Sequence, residues 1–298
     1  MENNQTSKRA SVTVIGMGPM GQALAGAFLQ NGHPVTVWNR TTGKADAVVA
    51  RGATLAQTVR DAIEASPLIV ICVLDYHAVE AILGREGEAL RGKALVNLTA
   101  DSPDRARAMA AWAAERGIDY LDGAIMTPTP TIGTPAAVVL YSGAEAVYSE
   151  HQPTLASIGG AASYLGKDHG RAAAFDVSLL DLFWTTMSGY VHALALARAE
   201  NISPREFARY AQGIVAILPD IMDYMAEHVE EDSYPGDKSD LNSAAAGMEH
   251  IIHASKHNGI DASVLSAAYA IAQQAIDAGY GKDAFSRLTD QLLRKTLK

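Results

Sequence analysis

Val12-Thr-Val-Ile-Gly-Met-Gly-Pro-Met-Gly21 decides how this chain folds. Val12, Val14 and Ile15 read as a short buried strand, and Gln22-Ala-Leu-Ala-Gly-Ala-Phe-Leu29 reads as a helix. Gly16, Gly18 and Gly21 lie between them as G-x-G-x-x-G, in the strand–turn–helix order that a dinucleotide needs. Gly16 makes the tight turn, Gly18 lets the backbone approach a pyrophosphate, and Gly21 lets helix and strand pack closely. The phosphates then rest on the unpaired N–H groups and the positive dipole end of the helix. Gly16, Met17, Gly18, Pro19, Met20 and Gly21 are therefore the expected cofactor contacts.

The next strand sets which cofactor. His33-Pro-Val-Thr-Val-Trp38 follows the first helix, and Asn39-Arg40-Thr41 stands at its C-terminal end. An NAD site places Asp or Glu there to accept from the ribose 2′-OH. Here Asn39 is neutral, and Arg40, Thr41 and nearby Lys44 offer donors to a 2′-phosphate, so NADP is expected over NAD. Arg40 and Lys44 as ordinary surface charges at a strand end is the competing reading.

Strands and helices alternate through the first half, as a doubly wound parallel sheet requires. Buried strands are expected at Leu68–Leu74, Ala94–Leu98, Ile118–Leu121 and Ala137–Tyr141, with a last one at Ser163–Leu165. Helices are expected over Lys44–Ala50, Thr58–Ala65, Ala78–Leu83 and from Pro103 to Arg116. The texture changes near Gly170. From Arg171 to Ala199 there is no proline, one glycine, and apolar residues on nearly every face, which predicts one long helix buried on all sides. Helices follow at Arg205–Gln212, Ile214–Glu230, Ser239–Asn258 and Ser263–Ala278, with no strand signal. The expected fold is an α/β Rossmann domain (1–167), a long interdomain helix (168–199) and an all-α domain (200–298).

Composition removes several function classes. A formal net charge of −9, with no Lys/Arg stripe, argues against extended nucleic-acid binding. The single cysteine, Cys72, sits in the apolar run Leu68–Leu74, so no intrachain disulfide forms and a reducing compartment is expected. The polar opening residues and the lack of a long apolar run predict neither secretion nor a membrane span, hence a cytoplasmic protein.

A bound nicotinamide makes hydride transfer the expected reaction, and the question becomes which side chain handles the proton. Tyr234 and Lys238 have Tyr-x-x-x-Lys spacing, but Pro235-Gly236 between them makes a turn rather than a helix. No lysine occurs between Lys167 and Lys238. His250, His253 and His257 share a helix face without a cysteine or clear carboxylate ligand, so no metal is expected. Asp176 remains, in Ala173-Ala-Phe-Asp-Val-Ser-Leu-Leu180. A carboxylate amid apolar neighbours is costly unless paired, and desolvation raises its pKa while a cationic substrate favours its anion. Both suit a group that protonates an imine or steadies an iminium. A helix N-terminal acid is the alternative, disfavoured because Asp176 lies more than a turn inside.

The sequence resembles the NADPH-dependent imine reductases, a family related to the 3-hydroxyisobutyrate (β-hydroxyacid) dehydrogenases, over nearly its whole length. The resemblance rests on Gly16–Gly21, Val35-Thr-Val-Trp-Asn-Arg-Thr41, Val73-Leu-Asp-Tyr76 and Val96-Asn-Leu-Thr99. It continues through Tyr120-Leu-Asp-Gly-Ala-Ile-Met126, Leu140-Tyr-Ser-Gly143, Asp176-x-x-Leu-Leu180, Tyr234-Pro-Gly-Asp237 and His250-Ile251. It implies NADPH as cofactor, a 6-phosphogluconate dehydrogenase-like helical domain, an interlocked homodimer, and an active site in a cleft between one subunit's Rossmann domain and the other's helical domain. It also implies an imine, or a ketone and an amine, as substrate. Leu74 and Asn97 match positions near the cofactor; Asn97 reads equally as a cap before Thr99.

The dehydrogenase relatives carry a catalytic lysine early in the long helix, where this chain offers Asp176. The exchange is sensible, because a lysine repels an iminium and a carboxylate attracts it. In imine reductases Asp at this point accompanies (R)-selectivity. Met126, Leu180, Trp184 and Met187 are candidate pocket walls, though such apolar stripes are more often core. Trp184 stands where relatives often have Tyr, which leaves Asp176 as the main polar group. Asn242-Ser243 replaces the Met-Gln of relatives that perform reductive amination, putting Asn242 in the pocket and efficient ketone–amine coupling in question. A β-hydroxyacid dehydrogenase that lost its lysine, and a non-catalytic NADP-binding sensor, are the alternatives.

Overall fold

The strands at Val12–Ile15, Leu68–Ile71 and Ala94–Asn97 bury both faces, which is why they read as continuous apolar runs. In the computed structural model, which describes residues 9–293, eight strands form one sheet. They are β1 (Val12–Ile15), β2 (Val35–Trp38), β3 (Thr54–Leu55), β4 (Leu68–Ile71), β5 (Ala94–Asn97), β6 (Asp119–Ile125), β7 (Val138–Gly143) and β8 (Ala161–Tyr164). Their order is β3-β2-β1-β4-β5-β6-β7-β8. The first six are parallel; β7 runs antiparallel to β6 and pairs in parallel with β8. This is the Rossmann order with a two-strand extension.

Alternate residues feed two cores. Val12, Val14, Leu68, Val70 and Val96 point to one, with Leu24 and Phe28 from helix Pro19–Gln30. Ile15, Ile69, Ile71, Leu95 and Tyr120 point to the other, against Tyr76, Val79 and Leu83 of helix Tyr76–Leu83 and Met109 and Ala113 of helix Pro103–Ala114. That second face, at the C-terminal strand ends, also carries the polar residues discussed below.

Several boundaries moved for identifiable reasons. Helix Tyr76–Leu83 starts earlier than expected because Asp75 caps it, accepting the Ala78 N–H at 2.8 Å. The expected helix Ile214–Glu230 is divided: one helix ends at Val215 and the next begins at Leu218, with Pro219 in its first turn. β6 runs past Leu121 to Ile125, so Asp122 and Gly123 lie within the strand. Helix Glu145–Leu155, which forms the β7–β8 crossover, has no counterpart in the sequence reading; its weak apolar periodicity and Pro153 hid it.

The long helix spans Arg171–Ala199 as expected, but the expectation that it is buried on all sides fails within this chain. Leu179, Leu182, Phe183, Trp184 and Val191 are exposed. Apolar periodicity tells which face avoids water, and not which molecule covers it. The start of the helix is firmly held. Asp168 accepts the Gly170 N–H at 3.0 Å and is bound by Arg107 at 2.8 and 2.7 Å, and Ser142 Oγ accepts the Ala172 N–H at 2.9 Å.

The described residues form two compact units, one ending at Asp181 and the other beginning at Leu182. The second contains helices Pro204–Val215, Leu218–Glu230, Leu241–His257 and Ser263–Ala275, with a small core of Leu241, Ala272, Ala275 and Leu288. No described helix is long and apolar enough to cross a membrane.

Gly16 has φ +99°, and a Cβ there would lie 2.2 Å from the Cys72 carbonyl oxygen. Gly16→Ala is expected to lower unfolding free energy by about 1–3 kcal/mol from backbone strain alone, with the clash adding to it. Urea unfolding checks this; an unchanged midpoint contradicts it.

Candidate active site

The glycine turn opens one side of a cleft at the C-terminal ends of β1, β2 and β4. Gly16 donates its N–H to the Trp38 carbonyl at 2.9 Å, joining the turn to β2. A Cβ on Gly21 would lie 1.8 Å from the Gly16 oxygen, so helix and turn touch there as expected. Gly18 differs. It caps helix Pro19–Gln30 in extended backbone, φ −67° and ψ 177°, and a Cβ would meet nothing within 4 Å. The chain itself does not require glycine at this position, and the space beside it is open. The first helical turn has no acidic residue and no side-chain cap, which leaves its N–H groups and dipole for an anion. These residues fit a dinucleotide pyrophosphate.

Gly16, Gly18, Pro19, Met20 and Gly21 line this cleft together with Asn39, Arg40, Thr41, Lys44 and Leu74. The Met17 side chain is fully buried, and its N–H goes to Asn39 Oδ1 at 2.9 Å. Asn39 Nδ2 donates in turn to the Thr41 carbonyl at 2.8 Å, so both ends of its amide tie the glycine turn to the end of β2. Arg40 and Lys44 carry the positive charge of the lining. Leu74 is 88% exposed at the opposite wall, an apolar surface open to a ligand. Sequence reading missed Trp38, Cys72, Val73, Ala78, Ala81 and Ile82, which also line the cleft. Burial pushes the Cys72 thiol up to about 11, which leaves it unreactive.

Asn97 lies outside this lining, completely buried at the end of β5. Its Oδ1 accepts the Thr99 N–H at 3.0 Å and its Nδ2 donates to the Tyr120 hydroxyl at 3.2 Å.

Asp176 is 5% exposed in the second turn of the long helix. Its carboxylate accepts no hydrogen bond from any described residue, and burial raises its pKa. The helix-cap alternative is therefore removed: Asp168 and Ser142 satisfy the helix start, and Asp176 takes no part. A second buried carboxylate, unassigned by sequence, stands on β6. Asp122 is 2% exposed and pushed up to about 7, mainly by burial and further by Asp176, against the stabilising hydrogen bonds from Tyr76 and Tyr120. The sequence reading gave no signal for it, because the expected strand ended at Leu121.

Met126 is half-buried against Ala124, Leu140 and Ala172 in the same unit as Asp176. Leu180, one helical turn beyond Asp176, is exposed. Trp184, Met187 and Asn242 belong to the second unit. Trp184 is 64% exposed and packs edge-on against Phe183, and Asn242 Nδ2 donates to the Gly281 carbonyl at 2.6 Å. Tyr234 and Lys238 have separate partners: Arg287 lies over the Tyr234 ring at 4.8 Å, and the Lys238 ammonium lies over the Tyr224 ring at 3.9 Å. His250, His253 and His257 are exposed, and no metal-binding cluster is found among the described residues.

This geometry defines a dinucleotide-binding α/β unit followed by a helical unit. Comparison with known proteins narrows the class. Residues 11–166 match the model of the NAD binding domain of 6-phosphogluconate dehydrogenase, and residues 168–294 match that of the NADPH-dependent reductive aminase-like C-terminal domain. The chain is 33% identical to the NADPH-dependent reductive aminase of Aspergillus oryzae, over 94% of this chain and 96% of the relative. An imine reductase from Myxococcus stipitatus in complex with NADP+ superposes with a TM-score of 0.91 at 39% identity, covering 95% of this chain and 99% of that one. A reductive aminase from Aspergillus terreus in complex with NADPH4, cyclohexanone and allyl amine gives 0.89 at 36% identity, with coverage of 95% and 99%. The chain belongs to the imine reductase and reductive aminase family of NADP-dependent oxidoreductases.

Because nothing in the chain meets a Cβ at position 18, Gly18→Ala should keep the wild-type melting temperature while losing at least about tenfold in NADP+ affinity, about 1.4 kcal/mol. Calorimetric titration beside a thermal melt checks it; unchanged affinity contradicts the cradle.

Proposed function

We propose that this protein reduces cyclic imines to amines, with Asp176 as the group that meets the C=N nitrogen. NADPH supplies the hydride to the imine carbon. The first-turn N–H groups of helix Pro19–Gln30 hold the pyrophosphate, Arg40 and Lys44 neutralise the 2′-phosphate, and Leu74 gives the cofactor an apolar wall. Asp176 in its acid form gives a proton to the imine nitrogen and, as the carboxylate, steadies the resulting iminium. The amine leaves neutral, and Asp176 regains a proton from solvent. The observation that carries this reading is a buried carboxylate without a partner: its desolvation favours the acid form until a cation arrives to favour the anion.

Met126, Leu180, Trp184 and Met187 are assigned to the substrate walls, and Asn242 to its polar edge. The division into a cofactor domain (1–167), a connecting helix (168–199) and a helical domain (200–298) follows from these roles. The exposed apolar face of the long helix supports a homodimer in which a second copy covers it. A half-buried, unpaired thiol at Cys72 supports a cytoplasmic setting. The (R) amine is the expected product.

Oxidation of NADPH with 2-methyl-1-pyrroline tests the activity, and Asp176→Ala should cut kcat at least about tenfold. Turnover of hydroxyacids with NADP+ instead, or cofactor binding without turnover, contradicts the reading. Light scattering should give twice the chain mass for the wild type and a smaller mass for Val191→Asp; a monomeric wild type contradicts the dimer.

A further inference from the structure

The pairing of β4 with β5 ends at Ile71 and Asn97, yet side chains continue it in the same register. Two residues beyond each strand end, the Val73 N–H donates to Thr99 Oγ1 at 3.2 Å in place of a backbone carbonyl. Further along, Asp101 Oδ2 accepts the Tyr76 N–H at 3.1 Å. That N–H opens helix Tyr76–Leu83 and has no acceptor within it. Between the two bonds lie only Leu74 and Asp75. Asp75 is committed to the helix cap, whereas Leu74 is exposed and lines the cofactor cleft. A short arch with one free side chain is thus fastened at both feet by the segment that follows β5.

Both fasteners are themselves fixed. Thr99 is buried, and its N–H goes to Asn97 Oδ1 at 3.0 Å, while Asn97 Nδ2 donates to the Tyr120 hydroxyl. Asp101 accepts the Ser102 N–H at 2.7 Å and pairs with Arg105 at 3.3 Å. Arg105 also pairs with Glu80 of the helix that the arch leads into, at 3.5 Å. Across the cleft from Arg40 and Lys44, Leu74 shares an apolar wall with Ala78, Ala81 and Ile82. Adenine and the 2′-phosphate are carried by neighbouring carbons of one ribose. A wall in the same cleft as the 2′-phosphate donors therefore suits the flat, apolar faces of the base.

We propose that Thr99 and Asp101 are positioning residues for the cofactor: they hold the arch from Val73 to Tyr76 so that Leu74 stands out against the adenosine half. This role rests on the reading that the 2′-phosphate meets Arg40 and Lys44 and that Leu74 is a cofactor wall; it is independent of Asp176. A leucine on an unfastened loop turns away from water onto nearby apolar surface. Bonds at both feet of the arch remove that freedom when the chain folds, so little ordering cost is left for binding. Without the Thr99 hydroxyl, the Val73 N–H lacks its acceptor, and the arch moves to find another.

The test is calorimetric titration of the full chain with adenosine 2′,5′-bisphosphate, which keeps the base and the 2′-phosphate but lacks the nicotinamide. Thr99→Val preserves shape and removes the hydroxyl, and should weaken binding about fivefold, the factor of one lost hydrogen bond. Thr99→Ser keeps the hydroxyl and should bind as the wild type does. Placed on Leu74→Ala, Thr99→Val should cost less than about twofold more, because the side chain it positions is gone. Placed on Arg40→Ala, it should cost the full factor. Unchanged affinity in Thr99→Val, an equal loss in Thr99→Ser, or a full loss on the Leu74→Ala background overturns the proposal. If Thr99→Val does not fold, Asp101→Ala decides by the same titrations, with Asp101→Asn as the variant that keeps the acceptor. A wild type that does not bind the bisphosphate sinks the cofactor placement and this role with it. Tight wild-type binding that Thr99→Val leaves unchanged sinks only the role of Thr99 and Asp101.

Discussion

Burying a carboxylate with no hydrogen-bond donor costs several kcal/mol unless it takes a proton or meets a cation. Asp176 is held in that condition by the packing of the helix that carries it. Arg107, Asp168 and Ser142 fix the helix start with charge-assisted and backbone hydrogen bonds, and Ala172 and Ala173 press the same face against the sheet. The helix cannot turn Asp176 to water without undoing those contacts. The fold therefore maintains an acid whose ionisation depends on what else enters its surroundings.

The same sheet serves two ends. One face packs helix Pro19–Gln30 so close to the turn that Gly21 tolerates no side chain against the Gly16 carbonyl, and this closeness brings the helix N-terminus to the cleft. The other face collects Tyr76, Tyr120, Asn97 and Asp122 among apolar residues. Both the cleft and this polar group lie at the C-terminal strand ends, where open α/β sheets hold their ligands. Alternation along each strand sends neighbouring residues to separate tasks.

Much of this was legible in the sequence. The glycine turn, the two-sided apolar strands and the uninterrupted helix from Arg171 to Ala199 each follow from local rules, and the cofactor cleft follows from the turn. Asp176 stood out because a charge inside an apolar helix has no local explanation. Asp122 was passed over because the expected strand ended at Leu121, and only the pairing of β6 with both β5 and β7 carries the strand through it. Tyr76 and Tyr120, its donors, lie 46 residues before it and two residues before it in sequence, a convergence no periodicity reports. The apolar surface of the long helix shows the same limit from the other side, since its pattern says nothing about which chain covers it.

Binding of a saturated cyclic amine to the NADP+-loaded protein tests the central claim most directly, because the ammonium ion places its charge where the iminium forms. If Asp176 is an unpaired buried acid awaiting a cation, the amine should bind the wild type at least about tenfold more tightly than Asp176→Asn, or about 1.4 kcal/mol. Its affinity for the wild type should also rise with pH as the proton it displaces becomes easier to lose. Equal affinity for the two proteins would contradict the account.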